Sequence, residues 1–132
     1  MKKILVLLGV MVLLFGCSVK TNVNSAKEFV ENYSKAYQYK DAKAIFAMQA
    51  KPDAVEGVTP PSVEEQVAEI KKELDEGGMW VESWSKTKYV SEDKRDGYII
   101  VKVRIKMIPS EIVLVEQGGA LRLHPEPSKF PR

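Results

Sequence analysis

The chain predicts an α+β fold, with N-terminal helices packed on one face of a curved antiparallel sheet of about four strands. Three observations carry that expectation. Apolar residues recur at helical spacing as far as Glu76. Past Gly77-Gly78 the spacing becomes twofold, the period of a strand. The stretches that follow are short and punctuated by Asp96-Gly97, Pro109-Ser110 and Gly118-Gly119, residues that make turns.

Each element has its own signals. Ser25-Ala-Lys-Glu28 is a capping-box sequence, in which Ser25 accepts from a free amide and Glu28 reaches back. Phe29, Val30, Tyr33, Ala36 and Tyr37 follow at helical spacing. Lys40-Asp41 interrupts the run, and Asp41 is placed to cap a shorter helix carrying Ala44, Ile45 and Met48. Lys51 precedes Pro52, which biases it out of the α region, so residues 52–61 read as a loop. Ser62-Val-Glu-Glu65 is a second capping box. Its helix carries the stripe Val63, Val67, Ile70 and Leu74 and stops at Gly77-Gly78.

Residues 79–90, with two Trp, one Tyr and several β-branched side chains, read as a strand. Residues 92–97 read as a polar turn ending in the hairpin dipeptide Asp96-Gly97. In the next strand Ile99, Val101, Val103, Ile105 and Met107 point one way, while Lys102, Arg104 and Lys106 point the other. Pro109-Ser110 turns the chain into residues 112–115, and Gly118-Gly119 leads to a last strand at 120–123. Residues 125–132 hold too many prolines for a strand.

The start of the chain has a different character. Lys2 and Lys3 precede an apolar run from Ile4 to Phe15. A membrane-spanning helix needs about 20 apolar residues, and this run is much shorter, so it reads as a secretory signal peptide. The run closes in Leu14-Phe15-Gly16-Cys17, which resembles the lipobox of bacterial lipoproteins, with Phe15 where a small residue is usual. That resemblance implies removal of residues 1–16, diacylglyceryl on Cys17, and a domain held at a membrane of the bacterial cell envelope, outside the cytoplasm. Two acyl chains on one residue suffice for stable anchoring. Residues 17–24 would then be the lipidated Cys and a polar tether, reaching at most about 25 Å when extended.

Cys17 is the only cysteine, so once acylated it leaves no thiol for a disulfide. Lys2 and Lys3 account for the whole excess of the 20 basic over the 18 acidic side chains. The rest of the chain is neutral, which argues against a nucleic-acid partner, since phosphate binding needs a concentrated basic patch.

Residues 25–124 resemble the NTF2-like (cystatin-like) superfamily, and within it small bacterial lipoproteins with a DUF4878-type domain. Two stretches carry the likeness: Tyr37-Gln-Tyr-Lys-Asp41-Ala-Lys-Ala-Ile-Phe46, and Val113-Leu-Val-Glu-Gln-Gly-Gly-Ala-Leu-Arg-Leu-His124. Leu121 stands where the family often has Trp. The resemblance implies a cone-shaped sheet wrapped round a long helix, in some members with a pocket, and in most no known activity.

Candidates for chemistry are few. His124 is the only histidine, and acid pairs such as Glu64-Glu65 belong to a solvated helix face, so no metal or other cofactor is expected. Glu82, Glu116 and His124 are the groups through which a small isomerase or hydrolase of this class would work, if they met inside a cone. Trp80, Trp84, Tyr89 and Tyr98 flank the first hairpin and either line a ligand mouth, form a partner patch or fill the core. Lys102, Arg104 and Lys106 read either as contacts to anionic lipid headgroups or as a solvated sheet face. The expectation from export, anchoring and scarce catalytic groups is a non-catalytic envelope module. It would bind a protein partner or a small apolar ligand near the membrane, or serve a purely structural role.

Overall fold

The computed structural model describes residues 19–51 and 56–124. The signal segment, Cys17 and the tail 125–132 lie outside the described residues.

Among the described residues, four helices precede a four-stranded antiparallel sheet: α1 (Ala26–Gln38), α2 (Ala42–Ala47), α3 (Val63–Glu76) and α4 (Met79–Ser85), then β1 (Thr87–Arg95), β2 (Tyr98–Ile105), β3 (Ile108–Gln117) and β4 (Ala120–Leu123). The strands lie side by side in chain order. The sheet is curved and does not close on itself. A bulge between Tyr89 and Ser91 bends its β1 side.

The predicted caps are in place. Ser25 Oγ accepts from the Glu28 amide at 3.3 Å, Asp41 Oδ1 from Ala44 at 3.1 Å, and Ser62 Oγ from Glu65 at 3.2 Å. Each satisfies one of the amides a helix start leaves without a partner. Gly77, with φ of 69°, ends α3 in the backbone region that favours glycine. Helix α1 is the centre of the domain. Phe29, Val30, Tyr33 and Ala36 are buried against Val101, Val103, Ile112 and Leu114 of the sheet.

Residues 79–85 form a helix, where the sequence predicts a strand. Trp80 and Trp84 stand four apart, which on a helix puts both on one side. Trp84 then wedges against Tyr33 and Tyr37 of α1, with ring centroids 4.8 and 5.9 Å away. Two further bonds fasten the end of α4 to α1. Ser34 Oγ and Gln38 Nε2 both donate to the Ser85 carbonyl, at 2.9 and 2.7 Å. These contacts override the strand preference of Trp and Val.

The β2–β3 turn falls at Lys106 and Met107, with Ile105 paired to Ile108, so Pro109 and Ser110 belong to β3. Met107 therefore leaves the inward face that its spacing suggested and is 82% exposed. Similarly β1 runs on to Arg95, and only Asp96-Gly97 makes the first turn, both with positive φ as a type I′ hairpin requires.

The predicted tether is part of the domain from residue 19 onward. Val23 is 2% exposed, and its carbonyl accepts from Leu121 on the outer edge of β4 at 2.9 Å. Arg122 donates from Nη1 to the Thr21 carbonyl at 2.6 Å and from Nη2 to Asn22 Oδ1 at 2.9 Å. The Lys20 amide donates to Asn32 Oδ1 of α1 at 2.9 Å, and Val19 packs on the core. A polar stretch with Val at every fourth place is held as an edge partner of the last strand. Farther along that edge, Leu123 bonds to both Met48 and Ala50 at 2.8 Å.

Candidate functional site

Beyond this laced edge the sheet opens into a groove of about 620 Å³. This size falls within the range of small-molecule sites. Helix α4 forms one wall with Trp80, Ser83 and Trp84. The opposite wall is Ile105 from the end of β2 and Ser110, Glu111 and Ile112 from β3. Gln49 and Ala50, after α2, and Leu123 and His124, at the end of β4, form the remaining side. The lining is mostly apolar, with polar groups at its margins.

The groove exists because β4 is short. Its ladder to β3 runs from Gln117 with Ala120 to Leu114 with Leu123, and the His124 amide adds a bond to the Val113 carbonyl at 2.9 Å. Ser110 and Ile112 lie past that point and are left facing the space between the sheet and α4, while the alternation of the strand turns the Glu111 side chain to the outer face, opposite Lys102.

Its floor is buried. Trp84, 7% exposed, meets Tyr33 edge-on and stacks on Tyr37, and Tyr33 in turn stacks on Phe29. Gln49 Nε2 donates to the Tyr33 hydroxyl at 3.1 Å, fixing the amide at the groove's edge. Burial pushes the phenols of both Tyr33 and Tyr37 well above their ordinary range, and keeps them neutral. The rim is different. Trp80 is 67% exposed and meets Trp84 edge-on at 6.0 Å. On the neighbouring turn Met107 and Ile108 are also exposed.

Glu82 joins the two sides of the rim. Its carboxylate accepts from Lys86 Nζ at 3.0 Å and lies 3.4 Å from Lys106 Nζ on the β2–β3 turn. Those two ammonium groups, Lys86 first, hold its carboxyl below the usual carboxylate range. Glu82 is thus an exposed clamp between α4 and the sheet, and Glu116 is exposed near the β3–β4 turn. Neither acid lines the groove; His124 does.

The four aromatic candidates divide. Trp80 and Trp84 meet at the groove, one on its rim and one in its floor. Tyr89 packs beside the core and donates its hydroxyl to Glu92 at 3.0 Å. Tyr98 meets the His124 ring edge-on at 5.9 Å. The basic candidates divide as well. Lys102 and Arg104 are exposed on the outer face of β2, with Glu111 and Pro109 opposite them on β3. Lys106, at φ of 61° in the turn, swings out of that row to Glu82. A larger hollow of about 880 Å³ spreads over the outer face between Asp93, Arg95, Lys102 and Glu111. Its charges have both signs and its lining is mainly polar, as expected of solvated sheet surface.

Sequence reasoning missed the groove residues Gln49, Ile105, Ser110, Glu111, Ile112 and Leu123. The one signal for it was the four-residue spacing of Trp80 and Trp84. Among the described residues, no group of three or more His, Cys, Asp or Glu is arranged to hold a metal ion. Among them too, no helix is long and apolar enough to cross a membrane. Compared with known proteins, the chain matches no family model, no curated protein and no solved structure.

Proposed function

We propose that this chain is an exported envelope lipoprotein, anchored by acyl chains on Cys17, whose domain binds a small apolar ligand in the groove beneath α4. The observation that carries the binding reading is the groove itself: apolar walls over a buried aromatic floor, with the indole of Trp80 left exposed at the mouth. Exposed aromatics beside a concavity are a feature of recognition surfaces. The anchoring reading is supported by the order of basic start, short apolar run, small residue and Cys17.

Two measurements test the two halves. Cells grown with radiolabelled palmitate are expected to incorporate label into the protein and lose it in Cys17→Ala, which should leave the membrane fraction. Native mass spectrometry of the purified protein is expected to show a small apolar molecule bound one to one. Unlabelled wild type would end the anchoring reading, and a mass spectrum of bare protein under ligand-replete conditions would count against the binding one.

A further inference from the structure

The segment that leads from Cys17 into the domain is docked on the edge of the sheet that borders the groove. Only Ser18 separates Cys17 from Val19, which packs on the core. From Lys20 to Val23 the segment is fixed to α1 and to β4 by hydrogen bonds of 2.6 to 2.9 Å. An extended chain advances about 3.4 Å per residue, so Val19 stands within about 7 Å of the Cys17 backbone, against about 25 Å for a free tether. The same outer edge of β4 that holds Val23 at Leu121 carries the groove's margin at Leu123. Those positions are two residues, or about 7 Å, apart along the strand.

We infer that the groove's ligand is an acyl chain of a lipid in the adjoining leaflet, brought within reach by this short, docked leash; the inference rests on the anchoring of Cys17 proposed above. The chemistry fits the occupant. Ile105, Ile112, Leu123 and Trp84 offer apolar walls without a buried charge, and His124 and Gln49 give the groove a polar margin. Trp80 is amphipathic and exposed at the mouth, and Met107 and Ile108 are exposed on the turn that Glu82 ties to α4. Indoles of this kind favour the boundary between headgroups and hydrocarbon. An acyl chain moving from bilayer to groove exchanges one apolar surrounding for another, so the transfer is nearly neutral. Occupancy then depends on the effective concentration that tethering provides, which falls steeply as a linker lengthens.

The test uses the full acylated protein in phosphatidylcholine vesicles containing a trace of phosphatidylcholine with a diazirine at mid-chain. After photolysis, adducts are expected on Ile112 or Leu123, inside the groove. In a variant with twenty Gly-Ser residues inserted between Ser18 and Val19, labelling is expected to fall about tenfold or more. Adducts confined to Trp80, Met107 or Ile108 would show surface contact alone and overturn the inference, as would equal labelling in the long-linker variant. Protein that carries palmitate but gives no groove adduct removes this inference and leaves the anchoring reading intact. Protein without palmitate removes the anchoring reading itself.

Discussion

Two tryptophans four residues apart on α4 have opposite surroundings. Trp84 is enclosed by Tyr33, Tyr37 and the sheet, whereas Trp80 touches Trp84 with one edge and otherwise faces solvent. The floor of the groove is therefore continuous with the core of the domain, and its rim is not. Substitution in the floor acts on folding; substitution in the rim acts on what the groove holds.

The largest expected effect follows directly. Trp84→Ala removes the wedge between α1 and α4 and should cost about 3–5 kcal/mol in urea denaturation. A much smaller cost would mean that the floor is not part of the core. Next is the laced edge. Arg122→Ala removes the guanidinium bonds to the Thr21 carbonyl and Asn22 and should cost about 1–2 kcal/mol, with faster hydrogen exchange at Leu121. Unchanged exchange would show that residues 19–24 are held without it.

A pH effect separates floor from rim in another way. Tyr33 and Tyr37 have phenol pKa values raised by burial, so they favour folding fully below the unfolded tyrosine value of about 10. That contribution is lost as pH rises above it, because the unfolded chain releases those protons first. The melting temperature should fall between pH 9 and pH 11, and less so in Tyr37→Phe. Glu82 works in the opposite sense. Its lowered pKa supports stability above the ordinary carboxylate range and loses that support as pH drops through it, but both its ion pairs are exposed and the effect is small. The smallest stability change is expected at the rim: Trp80→Ala should move stability by about 0.5 kcal/mol or less.

Elements set by local chemistry were readable in the sequence. Ser25, Asp41 and Ser62 cap the helices they were expected to cap, and Asp96-Gly97 makes the expected turn. Features set by contacts between distant residues were not. Helix α4 is built of residues with strand preference and is held by Tyr33, Ser34, Tyr37 and Gln38, about fifty positions earlier in the chain. The segment 19–24 has little pattern of its own and is fixed by Arg122, a hundred residues away. The groove draws on four separate stretches of chain, none unusual in isolation, and arises from the early end of β4. Lys106 left the basic row because the turn came three residues before Pro109-Ser110, a register no local signal specified.

Ligand binding by this domain requires the groove to take up an apolar molecule through its Trp80 mouth. Titration of the purified protein with N-phenyl-1-naphthylamine, read by dye fluorescence, tests it most directly. Saturable enhancement is expected for wild type, with affinity about tenfold weaker in Trp80→Ala and unchanged when Lys102 and Arg104 on the outer face are both replaced by Ala. Absence of saturable binding, or binding indifferent to Trp80→Ala but weakened by the outer-face pair, would contradict it.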